Sequence, residues 1–201
     1  MRSGLPARCE PGQAAKMLPS SRRLAHPLAE FPVVLVRPRY PENVGAVARA
    51  MRVTGFENLV LVAPHPLATP THEQARKMAV GSTDLLDGAR VIASLDDAVG
   101  EADLWVATSA RRGMSGVVSP RELGPRMLRE ADDGKRVALV FGGERTGLRK
   151  AEVEACTLTC RIPMVGNEPS LNLSQAVMVV LYELLEASLL QCPDTDRATR
   201  S

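Results

Sequence analysis

Three polar segments of the chain carry residue types that suit the binding or transfer of a small chemical group. The first segment places an asparagine, a glycine and an arginine at Asn43, Gly45 and Arg49. Arginine binds phosphate and stabilises a developing oxyanion through directed N–H donors, so the segment is suited to an anionic substrate. A structural explanation is also open. Asn43 could cap a helix, Gly45 could pack closely, and Arg49 with Arg52 could form a solvated helix face.

The second segment is a glycine-rich turn that follows an apolar run. Gly142 and Gly143 precede an acidic and a basic residue, Glu144 and Arg145. Glycine allows the backbone to approach a ligand closely, which indicates a binding loop. The alternative is a strand-to-helix turn whose Glu–Arg surface pair contributes little.

The third segment is a loop of Pro, Gly and Asn residues that leads into the last apolar stretch. It ends with Ser170 and Asn172, which immediately precede a helical pattern. Capping of that helix explains either residue but not both, since an apolar residue separates them. The spare polar side chain indicates a second role in this loop.

Apolar runs alternate with helical patterns along the rest of the chain, and these elements must position the three segments. Within each run, apolar residues occupy consecutive positions instead of alternating with polar ones, as in strands that are covered on both faces. The sequence therefore predicts an α/β domain with a mainly parallel sheet and helices on both faces. Ligands in such folds bind at the carboxyl ends of the strands. The predicted strands are 31–36, 59–63, 91–93, 104–108, 137–141 and 158–162, and the predicted helices are 43–54, 71–80, 95–99, 120–130 and 171–190.

Composition and charge limit the classes of protein to consider. The chain has 201 residues, of which 45% are apolar and 24% are charged, as in ordinary globular proteins. It has no run of about 18 apolar residues and no apolar leader, so we expect no membrane span and a cytoplasmic location. The expected organisation is a tail at 1–30, a domain at 31–190 and a short polar tail at 191–201.

The positive charge is concentrated in the first thirty residues. They hold five basic and two acidic residues, whereas the other 171 hold 20 basic and 21 acidic residues. The first tail is predicted to be disordered, with non-specific attraction to phosphate as an alternative. Nucleic-acid binding by the nearly neutral body would need a local basic face.

Several common sites are not supported by the sequence. The chain has no Gly-x-Gly-x-x-Gly motif after its first strand and no Gly-Lys-Ser/Thr motif. Cys156 and Cys160 have a spacing that could place both on one helix face, but no second Cys/His pair accompanies them. Buried structural thiols are therefore favoured over a zinc site, and no metal is expected.

Taken in order, the three segments resemble a known family. The chain reads Asn-x-Gly-x-x-x-Arg at 43–49, Phe-Gly-x-Glu at 141–144, and Ile-Pro-Met followed by Ser-Leu-Asn-Leu-Ser within 162–174. These motifs resemble those of the SpoU/TrmH branch of the SPOUT RNA methyltransferases, over about residues 31–190. The sequence Thr-Ser-Ala at 108–110 is most similar to members that methylate the ribose 2′-oxygen of tRNA.

The resemblance implies a C-terminal deep trefoil knot that binds S-adenosylmethionine. In this family the central catalytic residue is the arginine that matches Arg49. Because arginine stays protonated, we expect it to bind phosphate and stabilise the alkoxide, and not to act as a literal base. Residues that match the family's catalytic positions are Asn43, Arg49, Glu144, Ser170 and Asn172. Those expected around the cofactor are Thr108, Ser109, Ala110, Gly142, Gly143, Ile162, Pro163, Ser170 and Leu171.

The resemblance also implies an RNA substrate and a homodimer that packs partly through the C-terminal helix. A helix with apolar residues on nearly every side agrees with this, although burial within one subunit is the alternative. The expected target is cytidine or uridine at position 32 of the tRNA anticodon loop. Another tRNA position or ribosomal RNA stays open as the target. Related tRNA enzymes carry a helical extension after the domain, whereas only the short polar stretch 191–201 follows it in this sequence. Candidate phosphate contacts are Arg37, Arg39, Arg52, Arg111, Arg112 and Arg145.

Two other classes of function are kept as alternatives. One is a knot-fold RNA-binding protein that transfers no methyl group. The other is an ordinary α/β enzyme that binds a small nucleotide, but this does not explain why the polar residues fall in these three segments.

Overall fold

The computed structural model describes residues 28–98, 102–111, 114, 116–165 and 170–191. The two predicted tails lie outside these residues almost entirely. The exception is a 3₁₀ helix at Leu28–Glu30, where Leu28 is fully buried against the core. Leu28, which the sequence analysis assigned to the first tail, therefore packs with the domain.

The described strands form one seven-stranded sheet in the order β3-β2-β1-β6-β4-β7-β5. All of its pairings are parallel, which confirms the predicted parallel α/β architecture. The strand β5 was not predicted, because two residues are too few to form a recognisable apolar run. The strands are β1 Val33–Val36, β2 Leu59–Val62, β3 Arg90–Ile92, β4 Leu104–Thr108, β5 Val117–Val118, β6 Val137–Gly142 and β7 Leu158–Cys160.

Six α-helices connect or follow the strands. The two that the sequence did not predict, α3 and α5, have five residues each and are too short to show a helical period. The stretch expected as a helix at 95–99 forms a 3₁₀ helix at Leu95–Ala98. The helices are α1 Pro41–Thr54, α2 Glu73–Met78, α3 Thr83–Asp87, α4 Pro120–Asp132, α5 Lys150–Glu154 and α6 Leu173–Gln191.

The ends of two helices follow the expected local chemistry. Ser119 caps α4 in a capping box with Glu122, and Pro120 occupies the first turn. Gly55 ends α1 in the left-handed conformation, with φ of 84°.

The sheet separates two apolar layers, as strands covered on both faces require. On one face Val33 and Leu35 of β1 pack with apolar residues of α1, α4 and α6. On the other face Val34 and Val36 pack with Val153 of α5 and its neighbours. Helices thus cover both faces of the sheet, as predicted.

Helix α6 is buried along one stripe only. It packs against α1 and α4, and a Cβ at Gly124 of α4 would lie 2.8 Å from the Cβ of Ala187. By length and composition α6 could cross a membrane, but its buried stripe packs like that of a core helix. The opposite side leaves Met178, Val179 and Tyr182 exposed.

Candidate functional site

A cavity of about 310 Å³ opens at the carboxyl ends of β4, β6 and β7. Its volume is at the lower end of the range for small-molecule sites. The segment that follows each of these strands contributes to its wall. The lining residues are Thr108, Ser109, Ala110, Arg111, Phe141, Gly142, Gly143, Glu144, Arg145, Thr146, Gly147, Leu148, Ile162, Met164, Ser170, Leu171, Leu173 and Ala176.

Eight of the nine residues expected around the cofactor line this cavity, and Pro163 does not. Sequence reasoning missed Met164, which directly follows the Ile-Pro pair, and Ala176, which lies one turn inside α6. Met164 had a usable signal, since it belongs to the quoted motif. Ala176 had none, because an alanine within a helix is indistinguishable from a packing residue.

The glycines of the 142–148 loop are required by the protein's own backbone. A Cβ at Gly142 would collide with Gly147 and Leu148, and a Cβ at Gly143 would collide with the carbonyl group of Arg37. The amide of Gly143 donates to the Val36 carbonyl at 2.7 Å, and that of Gly147 to the Gly143 carbonyl at 2.9 Å. The structure thus gives these glycines a second reason, the close approach of two chain segments, while their approach to a ligand stays a prediction because both line the cavity.

The carboxylate of Glu144 joins the second segment to the first. One of its oxygens, Oε2, accepts from the backbone N–H of Arg39 at 2.8 Å. The other, Oε1, accepts from the Asn43 side-chain amide at 2.6 Å and from the Tyr40 backbone N–H at 3.3 Å. Glu144 therefore fixes the turn that precedes α1, and the expected Glu144–Arg145 surface pair is not its role.

Asn43 extends this connection to the third segment. Its Oδ1 accepts from Nδ2 of Asn172 at 3.0 Å. Asn43 is a buried residue, with 8% of its surface exposed. Asn43 does not cap α1, where Tyr40 holds the cap position without a side-chain bond. Asn172 both bonds to Asn43 and caps α6, since its Oδ1 accepts from the backbone N–H of Ser174 at 2.9 Å. Asn43 is thus joined to residues 101 and 129 positions away, so all three segments meet in one chain of hydrogen bonds.

The remaining predicted catalytic residues have different positions. Ser170 lines the cavity. Arg49 is exposed on α1, does not line the cavity, and has no hydrogen bond or ion pair with the residues that the structure describes. Gly45 packs against α2, because a Cβ there would collide with the Ala75 carbonyl. The structure thus brings four of the five residues to the cavity or its bonded rim, but not Arg49.

Three of the candidate phosphate contacts are bonded within the protein, which favours a structural role for them. Arg37 pairs with Glu152, and Arg52 pairs with Asp84. Arg111 donates to the Leu148 carbonyl at 2.9 Å, across the cavity wall. Each internal bond occupies some of the five N–H donors of its guanidinium and leaves fewer of them for a phosphate.

Two other candidates, Arg39 and Arg145, keep their side chains available. Arg145 lines the cavity and is exposed, and Arg39 is half-buried beside Glu144 with no side-chain partner among the described residues. Arg112 lies outside the described residues. Sequence reasoning missed Tyr40, an exposed aromatic residue between Arg39 and α1.

The two described cysteines are separated in the fold. Cys156 follows α5 and Cys160 ends β7, so they do not share a helix face as their spacing allowed. Burial raises the pKa of Cys156 to about 11 and that of Cys160 to about 12, as expected for structural thiols. Within the described part of the chain, no group of three His, Cys, Asp or Glu side chains is placed to hold a metal ion.

The chemistry of the cavity suits a nucleoside carrying an apolar or cationic extension. Ile162, Met164 and Leu171 supply apolar walls, and Glu144 supplies the negative charge. The Thr108 hydroxyl is buried without a partner, so a donor or acceptor on a ligand would satisfy it. These features fit the sulfonium nucleoside S-adenosylmethionine.

Comparison with known families identifies the fold. The model of the SpoU rRNA methylase family matches residues 30–182. The chain belongs to this family. Membership confirms the resemblance that the three motifs indicated. The match covers all seven described strands, helices α1 to α5 and the first half of α6.

Named relatives extend the comparison. The chain is 38% identical over 157 residues to a tRNA (cytidine-2′-O-)-methyltransferase TrmJ of Methanocaldococcus jannaschii, covering 76% of this chain and 66% of the relative. It is 37% identical over 174 residues to a tRNA (cytidine/uridine-2′-O-)-methyltransferase TrmJ of Photorhabdus laumondii, covering 86% and 70%. The chain thus spans about two thirds of the length of these relatives.

Solved structures give the same family. A crystal structure of a probable methyltransferase from Bordetella pertussis Tohama I has a TM-score of 0.76 and 33% identity, covering 82% of this chain and 99% of that one. An AdoMet-bound rRNA methyltransferase from Sinorhizobium meliloti has a TM-score of 0.63 and 25% identity, covering 80% and 60%. A structure described for the 2-OH methylation of C/U34 on tRNA has a TM-score of 0.63 and 27% identity, covering 80% and 97%.

Proposed function

We propose that the protein is an S-adenosylmethionine-dependent RNA methyltransferase that modifies a ribose 2′-oxygen of tRNA. The observation that carries the proposal is the Glu144–Asn43–Asn172 chain of hydrogen bonds at the edge of the cavity. It joins all three motif segments beside a space that suits a nucleoside. The names of the relatives supply the substrate class.

The cofactor would occupy the cavity between three loops. Thr108, Ser109 and the 142–148 loop would hold its polar atoms, while Ile162 and Leu171 would contact its adenine. When bound, S-adenosylmethionine supplies an activated methyl group on a cationic sulfur, so the protein needs no metal to activate it. The protein's contribution is then alignment of the acceptor with this methyl group.

Glu144 is an unsuitable base for the 2′-hydroxyl group. Its two oxygens already accept three hydrogen bonds, from the amides of Arg39 and Tyr40 and from Asn43. We assign it the role of fixing the turn before α1 against the cofactor loop. Arg49 does not line the cavity, but it is exposed and unpaired among the described residues, so it is available to bind the phosphate next to the target ribose. Stabilisation of the alkoxide by Arg49 would require bound RNA to bring the two groups together.

The RNA would bind across the rim formed by Arg39, Tyr40 and Arg145. The two arginines carry unpaired charge for phosphates, and an exposed tyrosine can stack on an unpaired base. This is the kind of local basic face that a nearly neutral body needs. Because Tyr40 donates its backbone N–H to Glu144, its position is tied to the same network as Asn43.

We further infer a knotted, dimeric and cytoplasmic enzyme. The strand β7 lies between β4 and β5, so the chain that leaves it must pass the connection between those two strands. This arrangement supports a knot, which a trace of the chain in a crystal structure would test. The exposed side of α6, with Met178, Val179 and Tyr182, supports a dimer contact. Sedimentation of the wild type and of Tyr182→Glu tests that contact, and an unchanged dimer in the variant would exclude it.

The decisive experiment is methylation of RNA that lacks its own modifications. The purified protein is incubated with S-adenosylmethionine and with separate tRNA and rRNA fractions, and the nucleosides are read by mass spectrometry. We expect 2′-O-methylcytidine or 2′-O-methyluridine in tRNA, and fragment mapping distinguishes position 32 from position 34. Product in rRNA alone would keep the chemistry and exclude the tRNA substrate.

Variants of Arg49 separate an enzyme from a protein that only binds RNA. Arg49→Ala should bind S-adenosylmethionine normally and lose turnover, whereas Arg49→Lys should retain part of it because the charge remains. Cofactor binding without turnover in the wild type would favour the binding-only alternative. Undiminished turnover in Arg49→Ala would exclude the role assigned to Arg49.

A further inference from the structure

Arg37 has a backbone conformation that is uncommon for a residue with a side chain. It directly follows β1 and has a φ of 54°, in the left-handed region. Its carbonyl group lies against Gly143, where a Cβ would collide with it. The carbonyl of the preceding Val36 accepts from the Gly143 amide. The backbone at Arg37 is thus pressed against the start of the 142–148 loop.

The Arg37 side chain reaches the other end of the same loop. Its Nη1 donates to Oε1 of Glu152 and its Nη2 donates to Oε2 at 2.8 Å, which is a bidentate pair with α5. Its Nη2 also lies 3.4 Å from the Gly147 carbonyl oxygen. The side chains are 27% and 18% exposed, so the pair is only partly screened by water.

The loop held in this way is a large part of the cavity wall, since every residue from Gly142 to Leu148 lines it. We propose that Arg37 is a positioning residue which, with Glu152, fixes the 142–148 loop in the conformation that binds the methyl donor. The inference rests on the proposed function, because it assigns that cavity to S-adenosylmethionine. It replaces the expectation that Arg37 contacts RNA.

The two roles predict opposite behaviour for Glu152. If Arg37 bound RNA phosphate, Glu152→Gln would free it and leave RNA affinity unchanged or higher. If Arg37 positions the loop, Glu152→Gln and Arg37→Gln break the same pair and should weaken donor binding alike. Their effects should then fall short of adding in the double variant, as for residues in direct contact.

The test is calorimetric titration of the full chain with S-adenosylmethionine, for the wild type, Arg37→Gln, Glu152→Gln and the double variant. We expect each single variant to bind S-adenosylmethionine about 10- to 100-fold more weakly than the wild type. The affinity of the double variant should be within about threefold of that of the weaker single variant. Arg37→Lys should lie between them and the wild type, because a single ammonium cannot form the fork. Arg76→Gln, which breaks an exposed pair with Asp87, is the matched control and should bind normally.

Steady-state kinetics give a second readout that a general loss of stability would not produce. The KM for the donor should rise by the same factor, while kcat at saturating donor should change by less than about threefold. Normal donor binding by Glu152→Gln together with weaker RNA binding by Arg37→Gln would overturn the inference. If Arg37→Gln does not fold, the Lys variant and Glu152→Gln decide the matter. No donor binding by the wild type would overturn the proposed function and this inference together.

Discussion

Replacement of Asn43 by alanine should cost about 2–3 kcal/mol of unfolding free energy, because Asn43 is the middle member of the network. The change removes its 2.6 Å bond to Glu144 and its 3.0 Å bond from Asn172. A bond to a carboxylate contributes about 1.5–3 kcal/mol, and the neutral bond between two amides adds about 0.5–1.5 kcal/mol. Alanine is the better helix former by about 0.6 kcal/mol, which offsets part of this loss inside α1.

The assay is urea unfolding followed by circular dichroism, with a thermal scan in parallel. For a domain of this size we expect a fall in Tm of about 5–10 °C, since each kcal/mol moves Tm by about 2–4 °C. Asn172→Ala removes the other end of the bond, so the double variant should cost less than the sum of the single variants. A loss below about 0.5 kcal/mol, or strict additivity, would refute the proposed coupling between the three segments.

Asn43→Asp is the matched variant, because it keeps the size and changes the charge. An aspartate carboxylate would face Glu144 oxygen to oxygen, so one proton must be shared or both charges must repel. The pKa of the shared proton is then raised, and stability is lost as the pH rises through it. Asn43→Asp should therefore be less stable than Asn43→Ala at about pH 8, and this difference should shrink toward about pH 5. A pH-independent difference would contradict the direct contact.

Three further changes follow from single contacts. Gly143→Ala should prevent folding or lower Tm by more than about 8 °C, because its Cβ would collide with Arg37. The control is Gly88→Ala, which should change Tm by less than about 3 °C because the nearest atom to its Cβ is 3.5 Å away. Ala176→Phe should fill the cavity and weaken donor binding more than tenfold in calorimetry while Tm stays within about 3 °C, and unchanged affinity would place the donor elsewhere. The Arg37 hydrogen bond lowers the pKa of Glu152, so Glu152 stabilises the fold above its ordinary pKa of about 4.5 and loses this effect as the pH falls below it. The wild type should therefore exceed Glu152→Gln in urea-unfolding free energy at pH 7 and lose that advantage near about pH 3, and a constant difference would argue against the ion pair.

The fold was predictable wherever an element was long enough to show its pattern. The six longer strands were all located. Four of them, β1, β2, β4 and β6, are continuous apolar runs with mostly buried residues, whereas the edge strand β3 and the short β7 had weaker patterns. The missed elements, β5, α3 and α5, have two to five residues and depend on their neighbours for stability. No local pattern can reveal an element whose cause is tertiary packing.

The candidate site was predictable in its residues but not in their contacts. Ser170 and Leu171 were found because the motif contains them, and Asn172 because two polar residues exceed what one cap needs. The bond from Asn43 to Glu144 spans 101 positions of the sequence, and the pair between Arg37 and Glu152 spans 115. Local spacing carries no signal for such pairs. An arginine after a strand therefore suggested a phosphate contact, where the structure has an internal ion pair.

The polar residues of the rim mainly hold one another, and this limits how the reaction can proceed. Glu144 accepts its three bonds from the turn before α1 and from Asn43, and Asn172 bonds to Asn43 and to the start of α6. None of these three groups is free to remove a proton without loosening the turn that forms the site. Catalysis by this chain must then depend on alignment by a rigid rim and on charge from an unpaired arginine, with the proton leaving to water or phosphate. A rigid rim of this kind would hold the acceptor in place while the exposed Arg49 contributes its charge.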